Sequence, residues 1–174
     1  MIQENVVIRF DGVSFAYNDS KVILDEADFS VRKNSIVTII GQNGAGKSTI
    51  FKLLLGRLKP QTGNINLALG TTIGIAEQMV PADKLELDIV SYFKSALPDK
   101  EYGIEGEIKK ILDAVNLNIP LTKKVKELSG GQKARLLLAY SLISNPDVLL
   151  LDEPTNNLDK VGISHLTNFL INYQ

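Results

Sequence analysis

The sequence predicts an α/β sandwich with a helical segment let into its middle, and three observations carry that prediction. Short apolar runs of strand character alternate along the chain with longer stretches of helical spacing. The region from Val80 to Lys126 is almost purely helical. A glycine-rich loop, Gly41 to Thr49, stands between a β-branched run and a helical run, a junction suited to binding phosphate.

The start reads as strands: NVVIRFDGVSF (5–15) alternates with a period near two, and ADFSV (27–31) follows a turn near Asn18-Asp19-Ser20. SIVTII (35–40) is β-branched and bounded by turn residues and glycine, the pattern of a buried strand. KSTIFKLLLG (47–56) has helical spacing and stops at Gly56, a fitting residue just past a helix end. LKPQTGNINLAL (58–69) reads as a turn plus a strand, and TTIGIAEQ (71–78) as a further strand. LELDIVSYFKSAL (85–97), EGEIKKILDAVNL (105–117) and GGQKARLLLAYSLI (130–143) read as helices. PDVLLLDEP (146–154) is a strand cut off by Pro154, and DKVGISHLTNFLINY (159–173) is a last helix. Residues 1–79 and 127–174 are expected to form the α/β core of one domain, and 80–126 a helical subdomain inserted into it.

Composition excludes several classes. At 174 residues the chain is long enough for one domain with a real core. A formal net charge of −1 sets up no global attraction to nucleic acid or to a membrane surface. The absence of cysteine removes disulfides and thiolate metal sites and is compatible with a reducing compartment, so a cytoplasmic location is expected. No apolar run approaches the roughly 20 residues needed to span a bilayer.

Gly41-Gln42-Asn43-Gly44-Ala45-Gly46-Lys47-Ser48 fits G-x-x-x-x-G-K-[ST], with a strand expected before it and a helix after it. Glycines let the backbone wrap closely, with N–H groups turned toward phosphate oxygens, and the helix that follows adds the positive end of its dipole. Lys47 brings an ammonium to the β- and γ-phosphates, the Ser48 hydroxyl suits Mg²⁺, and Thr49 adds a hydrogen bond. The bland alternative is a turn that only joins strand to helix. Downstream, VLLLDE ends a buried strand on two carboxylates. Asp152 there can orient Mg²⁺ through its waters, and Glu153, pointing elsewhere, can polarise an attacking water. Read alone, the pair is equally two solvated acids at a strand end.

Leu128-Ser129-Gly130-Gly131-Gln132, lying between the phosphate loop and the Asp-Glu strand, resembles the signature of the ATP-binding cassette (ABC) ATPases. The resemblance covers nearly the whole chain, with several motifs in the right order. It implies a P-loop NTPase sandwich of the ABC type, with an inserted helical subdomain and an N-terminal antiparallel β subdomain. It also implies that two cassettes pack head to tail around ATP. Ser129, Gly130, Gly131 and Gln132 would then serve the nucleotide of a second cassette. The alternative for them is a simple N-cap and turn. By resemblance Tyr17 stacks on adenine, the other reading being a core or edge-strand tyrosine, and Val22 touches base or ribose. Gln78 reaches Mg²⁺ or the attacking water, the alternative being an ordinary loop amide. Asp159 crosses to the second cassette, a role compatible with capping the last helix. The family's histidine at the γ-phosphate lies on a strand beyond that helix. The single histidine here, His165, falls inside the helix and reads as a solvated residue, so the chain is expected to be the front part of a longer protein.

Asn156-Asn157 after DEPT is similar to the F subfamily of soluble twin-cassette proteins, which implies ATP-gated binding at the ribosome and a role in translation. The alternative partner is a membrane-transporter domain, with this chain as its ATPase subunit. Lys109, Lys110, Lys123, Lys124 and Lys126 make the middle mildly basic, a solvated face more readily than an RNA patch.

Overall fold

A computed structural model describes residues 5–18, 21–97, 103–156 and 158–171. Asp19, Ser20, Asn157, Asn172 and Tyr173, which figured in the reading above, lie outside them. The chain divides into two compact units, Met1–Thr71 and Thr72–Gln174. The boundaries expected at 79/80 and 126/127 fall inside the second.

The first unit is built on three antiparallel strands, β1 (Val6–Ala16), β2 (Val22–Arg32) and β3 (Thr62–Leu67), in the order β2-β1-β3. The period of two in β1 is real but changes phase. Ile8 and Phe10 are buried on even positions, Val13 and Phe15 on odd ones. The change falls at a bulge between Phe10 and Val13, where Gly12 has φ 54° and its N–H donates to Asp28 Oδ1 at 2.8 Å. One extra residue there returns the apolar set to the core side. Phe10 stacks on its cross-strand partner Phe29 at 4.2 Å.

Helix α1 (Lys47–Leu54) follows the glycine-rich loop and ends as expected at Gly56. Gly56 N–H donates to Leu53 O and Arg57 N–H to Lys52 O, with Gly56 at φ 66°, a complete Schellman stop. The expected strand at 35–40 does not form: these residues join no ladder, and Ile36, Val37, Ile39 and Ile40 are exposed. β-branched propensity describes a side chain that fits a pleated, half-buried surface, and without a paired neighbour that preference fixes no strand.

In the second unit β4 (Ile73–Ala76) pairs in parallel with β5 (Val148–Leu151). Thr72 and Asp147 lock the start of this ladder. Thr72 N–H and Oγ1 both donate to Asp147 Oδ2, at 2.8 and 2.7 Å, and Asp147 N–H donates to Thr72 Oγ1 at 3.0 Å. Asp152 N–H continues the ladder to Ala76 O at 3.2 Å, so the register delivers Asp152 and Glu153 just past the strand end. The helices are α2 (Ile89–Lys94), α3 (Ile104–Ala114), α4 (Gly130–Leu142) and α5 (Lys160–Ile171). The helix expected over 85–97 shortens to α2 because the Asp88 carboxylate accepts Ser91 N–H at 2.7 Å and starts the helix there. Ile89, Phe93, Ile108, Val125 and Leu136 are fully buried at the centre of one apolar core.

Helix α4 lies directly on β4 because residue 74 is glycine. A Cβ on Gly74 would collide with the Ser141 carbonyl oxygen and the Pro146 ring. Gly74→Ala is therefore expected to lower stability by about 1–3 kcal/mol, the usual range for overpacking, read as a reduced denaturation midpoint. An unchanged midpoint would show that α4 is free to shift.

Candidate functional site

In the first unit the loop from Gly41 to Thr49 winds through two left-handed glycines, Gly44 at φ 82° and Gly46 at φ 101°. Gly46 is also a point of close approach, since a Cβ there would meet Ile23. Helix α1 begins at Lys47 with no side-chain cap, and in its first turn Thr49 N–H turns back to Gly46 O at 2.9 Å. The positive end of the helix dipole at this start favours an anion. Lys47 Nζ donates to Gly41 O at 2.9 Å and Gln42 O at 3.1 Å, so the ammonium is folded over the loop. Ser48 is exposed and Thr49 buried.

Two of the aromatic and loop residues predicted together are in contact: Tyr17 Oη and Thr49 Oγ1 share a hydrogen bond at 3.2 Å. Tyr17 also meets Phe15 in a T-shaped pair at 5.1 Å. At 49% exposure the Tyr17 ring is held beside the loop yet open to a stacking ligand, and the neighbouring strand start at Val22 is exposed as well. Tyr17 lies just past the end of β1, the middle strand of its sheet, and at this exposure it is neither a core nor an edge-strand residue. Gln42, Asn43 and Ala45 are exposed along the loop, and Ala45 N–H turns back to Gln42 O at 3.1 Å.

The second unit joins Gln78 to Glu153, two residues 75 positions apart. Gln78 Nε2 donates to Glu153 Oε2 at 3.0 Å. Asn156 Nδ2 donates to the same oxygen, and Asn156 N–H to Glu153 O at 3.2 Å. Pro154 in the second position favours the turn from Glu153 to Asn156. Glu153 itself is left-handed at φ 51°, a conformation that costs a residue with a Cβ about 1–2 kcal/mol. Strain of this kind persists only where the surroundings enforce it. Asp152, Glu153 and Gln78 border a small cleft whose wall includes Leu138, Leu166 and Phe169.

Ser129 is the N-cap of α4. Its Oγ accepts Gln132 N–H at 3.2 Å while Gln132 Oε1 accepts Ser129 N–H at 3.0 Å, a closed capping box. The hydroxyl accepts here, so its own proton can still be donated outward. Gly130 is exposed, Gly131 and Gln132 half-buried, and buried Leu128 anchors the turn. Asp159 caps α5 by accepting Gly162 N–H at 2.8 Å. His165 is an exposed helix residue whose Nε2 lies 3.4 Å from Asn116 Nδ2.

Among the described residues no three or more His, Cys, Asp or Glu cluster as a metal site. What the chain offers is oxygen: the Ser48 hydroxyl in one unit, and the Asp152 carboxylate and Gln78 amide in the other. Few hard oxygen donors suit Mg²⁺, which keeps several waters and takes phosphate oxygens as further ligands. Two residues escaped the sequence reading. Asn156 was seen only as a subfamily mark, although a donor three residues past a candidate base, across a proline turn, was a readable signal. Arg135 on α4 donates to Asn116 O at 2.8 Å and stands 4.0 Å from Asp159 Oδ1, and nothing local in the sequence foretold those distant partners.

A family model described as "ABC transporter" matches residues 24–156. The zinc import ATP-binding protein ZnuC of Hydrogenovibrio crunogenus is 31% identical over 94% of this chain, and the chain spans 66% of that relative's length. The ATP-binding protein YheS of Escherichia coli K12 is 34% identical over 98% of the chain, which spans only 26% of it. The solved structure of cbiO1 from Clostridium perfringens, part of the ABC transporter complex cbiONQ, superposes with a TM-score of 0.79 at 27% identity. The match covers 97% of this chain and 73% of that one. Among the described residues no helix is long and apolar enough to cross a membrane.

Proposed function

The chain belongs to the ABC transporter family and has the α/β fold of its ATPase domains; from that premise we propose that it binds Mg-ATP and hydrolyses it as the ATPase part of a membrane transporter. Proteins of this family bind ATP with Mg²⁺ and hydrolyse it. The observation that carries the reading to these residues is the uncapped start of α1, with Lys47 folded over the glycine loop and Tyr17 tied to Thr49.

Each residue has a stated part. Tyr17 stacks on the base with Val22 beside it, and the glycine-rich loop from Gly41 to Thr49 together with Lys47 takes the phosphates. Ser48 offers a hydroxyl to Mg²⁺; Asp152 and Gln78, in their own unit, offer a carboxylate and an amide. The metal, when bound, neutralises charge that grows on the phosphate oxygens. Glu153 orients water and accepts its proton. Ser129, Gly130, Gly131 and Gln132 present a hydroxyl, open N–H groups and a helix start to the nucleotide of a second cassette, and Asp159 faces the same partner.

The transporter role is supported by two of the relatives. The first is named for zinc import, and cbiO1 is part of a transporter complex. A second reading, a soluble F-subfamily protein acting on the ribosome in the cytoplasm, is supported by the Asn156-containing loop. It is also supported by the match to YheS, a probable ATP-binding protein. Cell fractionation of a Glu153→Gln variant loaded with ATP separates the two. Recovery with the membrane fraction is expected; co-sedimentation with ribosomes would replace the transporter reading with the translational one.

A further inference from the structure

We propose that Asn156 is a positioning residue for Glu153, an inference that rests on Glu153 acting as the base. Asn156 holds Glu153 at both ends. Its backbone N–H donates to Glu153 O at 3.2 Å, and its side-chain amide donates to Glu153 Oε2, the oxygen that also takes Gln78 Nε2 at 3.0 Å. Glutamate has three side-chain torsions to fix, and its backbone here sits in the left-handed region at φ 51°. Two amides converging on one oxygen fix the carboxylate plane before water arrives, so the orientation is set in the resting protein rather than at the moment of reaction. Both are hydrogen bonds to a charged acceptor, the stronger kind. Gln78 reaches Glu153 from the end of β4, whereas Asn156 reaches it from the same turn. The local clamp therefore belongs to Asn156.

The competing role is turn formation alone, and two substitutions tell them apart. Asn156→Asp keeps size, turn preference and the backbone N–H, but replaces the donor with a second carboxylate facing Glu153. Asn156→Ser is a poorer match in size but keeps a donor. Loss of a hydrogen bond to a charged group corresponds to about tenfold or more, so kcat for Mg-ATP in the purified protein is expected to fall by about that factor in Asn156→Asp. KM and the affinity for a fluorescent ATP analogue should stay unchanged, with Asn156→Ser retaining more activity than Asn156→Asp. The reverse order, or wild-type kcat in Asn156→Asp, overturns the proposal. A readout independent of turnover is the Asn156 side-chain amide resonance in nucleotide-free protein. It is expected to move in Glu153→Ala, and an unmoved resonance removes the contact. Turnover that survives Glu153→Gln removes the base and the reading beneath the inference. Turnover lost in Glu153→Gln but intact in Asn156→Asp removes the inference alone.

Discussion

Glu153→Gln is expected to reduce phosphate release by roughly 10²- to 10⁴-fold, the usual contribution of a positioned general base, while nucleotide still binds. The substitution is nearly isosteric. The new amide oxygen can still accept from Gln78 Nε2 and Asn156 Nδ2, so the turn and its left-handed residue keep their restraints. What is lost is the lone pair that takes the proton of the attacking water. A stopped-assay measurement of phosphate, run beside a nucleotide-binding titration, checks both halves. Turnover within a few-fold of wild type would take Glu153 out of the chemistry and leave it as a structural turn residue.

The second large effect is expected in the glycine-rich loop. Lys47→Ala should lose tight ATP binding, by roughly two orders of magnitude if the lysine makes one or two charged hydrogen bonds to the phosphates. In the resting loop its ammonium is held by Gly41 O and Gln42 O, so it already hovers over the turn that phosphates would fill. Removing it deletes the only cation within the Gly41–Thr49 motif and leaves the backbone N–H groups and the α1 dipole. Because the lost interaction is ionic, the gap between wild type and variant should narrow as salt rises. Unchanged affinity in a fluorescent-nucleotide titration would remove Lys47 from the assignment.

Features written in local chemistry were legible in the sequence. The stop at Gly56, the Ser129 cap with Gln132 three residues on, and the Asp159 cap each depend on residues a turn apart, and each is present in the structure. The loop from Gly41 to Ser48 was legible for the same reason, since its glycines mark positions where the backbone must bend. Features that depend on distant partners were not. The run at 35–40 has every local mark of a buried strand, yet pairing is decided by a neighbour that no window of the sequence contains, and here its apolar side chains are exposed. Helix 85–97 was overdrawn because the Asp88 cap competes with the helical spacing before it. Gln78 is singled out in the sequence through family resemblance, but its bond to Glu153 spans 75 positions and could only be seen in the fold. Asn156 was visible in the sequence and its bonds to Glu153 were not, because a side chain that holds a nearby carboxylate looks like any other turn asparagine.

The claim that nucleotide lies between Tyr17 and the Lys47 loop can be tested by one fluorescence titration. The chain contains no tryptophan, so Tyr17→Trp places a single reporter at the ring that touches Thr49. Saturable quenching of that reporter by Mg-ATP, absent in the Tyr17→Trp/Lys47→Ala double variant, is the predicted result. A signal indifferent to ATP, or equally strong without Lys47, would contradict the account.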